Sequence, residues 1–175
     1  STDGGEIALQ GQLDTRSEAY EIELRCDSFP LNRFLPADSL GLLDLALQAG
    51  GSGFDPLRAQ TRGNIRLQVD RAEFRGRDFG GVELNANLEG GQLSGRLSDR
   101  DEALRLLLLV SGTLTERKQE VRLTGNVFDF DLAELGISPQ KIGGSFALEA
   151  GASASDAGSY TARIALDSIE VRTRH

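Results

Sequence analysis

The sequence contains no methionine and no tryptophan, one cysteine and one histidine. Without methionine and with Ser1 at its start, the chain is expected to be a piece cut from a longer protein. A single cysteine, Cys26, forms no internal disulfide and supports no cysteine-based zinc site. It falls on the apolar side of a strand pattern, where a small core residue is expected. The lone histidine is His175, at the end of the chain, which removes histidine-based triads and most zinc sites from consideration. Long apolar runs are missing too. The longest, Leu106 to Val110, falls far short of the roughly 20 residues that span a bilayer, and no basic, apolar, small-residue leader occurs. Any anchor or export signal is therefore expected outside this chain. Positive charge is in the minority: the net charge of −8 disfavours a nucleic-acid partner and a helix lying on anionic lipid.

What is present is alternation. Ile7, Leu9, Gly11 and Leu13 share one face, opposite Glu6, Ala8, Gln10 and Gln12. The same period of two runs through Tyr20, Ile22, Leu24 and Cys26; Leu43, Leu45, Leu47 and Ala49; Ile65, Leu67 and Val69; and Val82, Leu84, Ala86 and Leu88. It continues through Leu93 and Leu97 around Gly95, then Leu104, Leu106, Leu108 and Val110, then Val121, Leu123 and Val127, then Phe146 and Leu148, and ends with Ala162, Ile164 and Leu166. A period of two is that of half-buried antiparallel strands. The interleaved polar residues, Glu23, Arg66 and Glu83 among them, are expected on the solvated face. Leu107 and Leu109 break the pattern and predict a central strand covered on both faces, with an exposed contact surface as the alternative.

Turn signals separate these segments. Gly80-Gly81, Gly90-Gly91 and Gly143-Gly144 read as breakers, and Asp99–Glu102 and Glu116–Gln119 as charged hairpin tips. Gly50-Gly51-Ser52-Gly53 and 151–159 read as flexible connections. Only two short elbows have helical character, 29–35 and 132–136, the second with Gly136 as its cap.

The elbows repeat. Phe29-x-Leu31-x-x-Phe34 is matched by Phe130-x-Leu132-x-x-Leu135, and the preceding strands match in step, Tyr20 with Val121, Ile22 with Leu123 and Cys26 with Val127. A third copy begins at Tyr160, where Leu166-Asp167-Ser168-Ile169 follows Cys26-Asp27-Ser28-Phe29. Repetition of a strand-and-elbow unit favours an elongated stack over a compact enzyme.

Catalytic constellations are not discernible. Strand carboxylates alternate with apolar residues and read as solvated, so no glycosidase-like pair emerges. Asp129 and Asp131, like Asp99 and Asp101, lack the spacing of a calcium loop and read as solvated turn residues. The glycine-rich Gly50–Gly53 segment lacks the lysine of a phosphate loop. The sequence therefore calls for no enzyme activity, metal or cofactor.

The Leu-x-Gly-x-Leu phrases Leu9–Leu13 and Leu93–Leu97, the related Val110–Leu114, and the segment from Phe34 to Gly41 resemble the TamB and AsmA-like family of diderm bacteria. The resemblance implies a single β-rich segment, 1–175, of a longer periplasmic protein anchored in the inner membrane. It implies an all-β fold: an elongated, curved, mainly antiparallel sheet, trough-like or taco-like, with an apolar concave face built from weak repeats. It further implies transport of phospholipid towards the outer membrane and a part in outer-membrane assembly. The partners implied are phospholipid acyl chains and, through the full-length protein, an outer-membrane barrel resembling TamA.

On that reading the apolar faces line a lipid groove. Its expected lining is Ile7 and Leu9, Ile22 and Leu24, Leu45 and Leu47, Ile65 and Leu67, Val82 and Leu84, Leu104, Leu106 and Leu108, Val121 and Leu123, Phe146 and Leu148, and Ile164 and Leu166. The residues alone support a trough in one respect. Nearly every strand has an apolar face, yet almost no helix is available to cover it. Two other readings share the pattern: a structural β-sandwich whose apolar faces form a closed core, and a chaperone-like surface that pairs its sheet edges with client strands.

Overall fold

The alternating segments fold as strands of one up-and-down antiparallel sheet. A computed structural model describes residues 4–33, 40–155 and 159–173. The strands are β1 (Glu6–Asp14), β2 (Ala19–Pro30), β3 (Leu40–Ser52), β4 (Arg62–Phe74), β5 (Arg77–Phe79), β6 (Val82–Glu89), β7 (Gln92–Arg100), β8 (Leu104–Leu114), β9 (Lys118–Asp131), β10 (Ile142–Ser155) and β11 (Tyr160–Thr173). Each lies beside its neighbour in sequence, except that the short β5 pairs only with the end of β4, leaving β6 to continue the sheet. The result is an open, curved sheet with two free edges, β1 and β11. The first elbow contains a 3-10 turn at Leu31–Arg33, and the second, after β9, is a run of turns closed by Gly136 at φ +68°. Phe34 to Ser39, part of the family-like phrase, lie outside the described residues, as does His175.

Register follows the apolar pattern because a slip of one residue would turn every leucine to the other face. Tight turns help to set it: Gly90 and Gly91, both at positive φ, join β6 to β7 in two residues, as an antiparallel hairpin favours. Two other glycine pairs depart from expectation. Gly143-Gly144 lies inside β10 and Gly50-Gly51 inside β3. Their reason is close approach: a Cβ on Gly144 would run into the main-chain carbonyl of Glu170 and crowd the Phe130 ring at 3.0 Å, and one on Gly51 would run into the carbonyl of Arg62 and the Tyr20 hydroxyl at 2.8 Å. The segment read as flexible from Gly151 likewise begins as strand, with β10 running to Ser155; 156–158 lie outside the described residues.

Four of the descending strands carry a bulge at the same level. One extra residue is accommodated between Cys26 and Phe29 in β2, Val69 and Ala72 in β4, Val127 and Phe130 in β9, and Asp167 and Glu170 in β11. Ser28 and Ser168 take positive φ there, +49° and +53°. The β2, β9 and β11 bulges fall at matching places in the three sequence copies, so the repeat has a structural counterpart. Each bulge resets the alternation and returns the next apolar residue, Phe29, Ala72, Phe130 or Ile169, to the apolar face. Bulges also bend a strand, so a line of them across a sheet promotes its curvature.

Among the described residues no second layer covers this sheet. Among the described residues only Cys26, Ala103 and Val127 are buried apolar side chains, and none is completely enclosed. The described residues therefore form one open sheet and no closed sandwich core. The expectation of a doubly covered β8 is also corrected: Leu107 and Leu109 point to the polar face, and Leu109 is 48% exposed. The local strand pattern resembles that of a buried strand, but among the described residues no layer lies on the outer side to cover it.

Candidate apolar groove

Cross-strand pairing places the expected lining on one face. Leu9, Leu24, Leu47, Leu67, Leu84, Leu97, Leu108, Gly125, Leu148 and Leu166 are successive partners across ten strands. Nine inter-strand steps of about 4.8 Å give a track of about 43 Å. Gly125 is its only gap, where the main-chain carbonyl of Leu107 occupies the space a Cβ would need. A second row holds Ile22, Ile65, Leu123 and Ile164, linked through Ala49, Ala86, Gly95, Val110 and Ala150. A third begins with Ile7, Cys26, Leu45, Val69 and Val82 and resumes with Leu106, Val127 and Phe146; Leu104 follows beside Phe130. Val121 belongs to the outermost row, beside Gly112 and Ala152.

Every expected lining residue thus shares the face. Leu97 joins them although it is absent from the expected set; its place in the phrase Leu93–Leu97 was the available signal. The polar side is equally regular, with Glu23, Gln48, Arg66, Asn85 and Arg96 in one transverse row. Gln48 donates to Glu23 and Arg66 to Asn85, both at 3.2 Å.

Shielding varies along the apolar face. Leu47, Leu67, Leu84, Leu97 and Leu108 in the central strands are half-buried without any overlying layer. At the free edges the same rows open to solvent, with Leu9 68% and Ile164 74% exposed. Enclosure is greatest towards the elbows: Cys26 is buried before the first, Val127 and Ala103 near the second, where Phe130 meets Phe146 edge to face at 6.1 Å.

One carboxylate stands among the apolar rows. Asp99 opposes Leu106 on β8 and shares the face of Leu97. Burial pushes its pKa up, as does the negative charge of Asp101, while the Asp101 amide, donating to Asp99 Oδ1 at 2.9 Å, offsets part of that rise. Two of the other carboxylates expected in turns, Asp101 and Asp131, cap turns, whereas Asp129 lies in β9 opposite Arg105. Asp101 accepts the amides of Ala103 and Gly80, and Asp131 those of Ala133 and Glu134. Asp131 is buried rather than solvated, because its oxygen serves main-chain donors inside the elbow.

No protein-family model, curated protein or solved structure matches this chain.

Proposed function

We propose that this chain is a segment of a periplasmic, inner-membrane-anchored protein, and that its apolar face carries phospholipid acyl chains towards the outer membrane. The observation that carries the reading is the leucine row: an apolar track across ten strands, interrupted only at Gly125, half-buried in the central strands and covered by no second layer among the described residues. An acyl chain passing through water exposes about 0.8 kcal/mol per CH₂, on the order of 10 kcal/mol for a whole chain, and a continuous track removes that cost at each step. A polar outer face suits a protein that stands in an aqueous compartment while the lipid stays inside. A role in outer-membrane assembly with a TamA-like barrel belongs to the same proposal, through the full-length protein.

The test is binding of a phospholipid that bears an environment-sensitive fluorophore on one acyl chain. Binding with a blue-shifted emission is expected, displaced by unlabelled phospholipid. Leu67→Arg, which keeps its strand and places a charge on the track, should weaken it at least tenfold while the β-sheet circular dichroism is retained. Equal binding by the wild type and by folded Leu67→Arg would overturn the reading.

The free edges favour a second reading. β1 and β11 expose alternating apolar side chains along unpaired backbone, the arrangement that accepts an added client strand. A structural or chaperone-like role would then depend on the edges and not on the leucine row.

A further inference from the structure

The elbow after β9 is held from a distance. Arg77 donates through Nη1 to the carbonyl of Ala133 at 3.1 Å and to that of Glu134, and its Nη2 pairs with the Glu134 carboxylate. Arg75 donates to the Gly136 carbonyl at 3.2 Å. Both arginines belong to the hairpin formed by β5 and the end of β4, and β6, β7 and β8 separate β4 from β9 in the sheet. Between hairpin and elbow sits the tight turn joining β7 to β8. Its Asp101 Oδ2 accepts the Gly80 amide at 3.1 Å, and its Ala103 carbonyl accepts the Asp131 amide at 3.0 Å. These contacts complete a ring around one end of β7 and β8.

We propose that the hairpin and the elbow form a latched flap over the Leu104–Phe130–Phe146 end of the apolar face, and that its release opens this end to an apolar ligand. Three observations support a flap over a fixed brace. Ala103, Val127 and Asp131 are buried beside this ring, whereas Leu9 and Ile164, at the sheet edges of the apolar face, are open to solvent. The Arg77–Glu134 pair is half-exposed, so solvent and salt weaken it. Gly81 and Gly136, both at positive φ, stand at the ends of the two pieces that would move, and Gly76, also at positive φ, forms the hairpin tip. Release of the flap is a property of the chain alone; its consequence for lipid rests on the groove reading.

The test compares the wild type, Arg77→Glu, and the charge exchange Arg77→Glu/Glu134→Arg by hydrogen exchange. In Arg77→Glu the amides of Leu135, Gly136 and Ile137 should exchange at least tenfold faster, with those of Leu108 and Leu123 unchanged, and the exchanged pair should recover part of the protection. Unchanged exchange in the elbow would overturn the latch. Faster exchange spread equally over β8 and β9 would show a brace, and would overturn the flap. A photo-crosslinker at Leu104, presented with phospholipid vesicles, separates the two ideas. Greater lipid labelling in Arg77→Glu supports the gated track, whereas elbow exchange that rises without any lipid labelling overturns the ligand consequence and leaves the flap standing.

Discussion

Asp44 on β3 and Arg71 on β4 face each other across the two strands, with Asp44 Oδ2 3.1 Å from Arg71 Nε. The other oxygen of the same carboxylate accepts the amide of Ser28 in the β2 bulge. One side chain thus joins the irregular backbone of β2 to the bulged part of β4. The Arg71 Nε is shielded from water and lies towards Asp44 as an ion pair rather than as an aligned hydrogen bond. Asp44→Ala would leave the Ser28 amide and the Arg71 guanidinium without this partner. A loss of about 1–3 kcal/mol is expected in urea denaturation. Asp44→Asn keeps an acceptor for Ser28 and should lose less. Equal losses for the two variants would assign the whole effect to the charge.

The bulges give a second prediction. Ser28 and Ser168 sit at positive φ in matching places of the repeat. A β-branched side chain is strained there, whereas glycine is not. Ser28→Val should destabilise by about 1–2 kcal/mol, and Ser28→Gly should be close to neutral. The same ordering is expected at Ser168, with smaller changes because β11 is an edge. Thermal melts of the four variants check this, and valine tolerated at both sites would show that the bulges relax without cost.

These bulges also mark how far the sequence could be read. Ile22, Leu24 and Cys26, or Ile65, Leu67 and Val69, declare their face through strict alternation, because only one face of the sheet meets apolar neighbours. The sheet class and the apolar face follow from that. The change of parity from Cys26 to Phe29 and from Val127 to Phe130 was visible as well, but a bulge and the end of a strand give the same local pattern. Gly143-Gly144 misled for a related reason: a glycine pair marks a turn or a crowded strand, and only the neighbouring strands, with the Glu170 carbonyl and the Phe130 ring against Gly144, decide which. Leu107 and Leu109 looked buried because alternation carries no information on whether a second layer exists. The Arg77–Glu134 contact had no local signal at all, since its partners are brought together by the sheet and by no periodicity.

Asp99 gives a pH dependence. Its carboxyl pKa is raised in the folded chain, chiefly by burial, so folding favours the protonated form. Below the unfolded value both states hold the proton and Asp99 contributes no pH dependence. As pH rises from the unfolded value, near 3.8, through the raised folded value, the folded state is progressively penalised, and the penalty persists at neutral pH. Asp99→Asn keeps an acceptor for the Asp101 amide and cannot ionise. It should be more stable than the wild type at pH 7, with the difference shrinking towards zero as the pH is lowered through the carboxylate range. Denaturation midpoints across that range check the sign. A gain at pH 7 that persists unchanged in acid would mean that the asparagine acts through packing and not through the missing charge.

The last prediction uses two adjacent leucines. Leu108 lies in the leucine row, between Leu97 and Gly125, while Leu109 faces outward between Arg96 and Thr124. They share a strand, a residue type and almost the same distance from both sheet edges, so they differ chiefly in face. A photo-crosslinker at each position, in full-length protein held beside phospholipid, separates the possible uses of this sheet. The groove reading expects lipid adducts at Leu108 and few at Leu109. Client strands that add to β1 or β11 lie away from β8 and would leave few adducts of any kind at either leucine. Equal lipid labelling at both would mean that the sheet lies against a membrane without selecting a face, and the leucine row would then be a packing feature of the strands and not a path. Because Leu109 is the more exposed of the two, accessibility alone predicts the reverse of the groove result, which makes labelling at Leu108 the informative outcome.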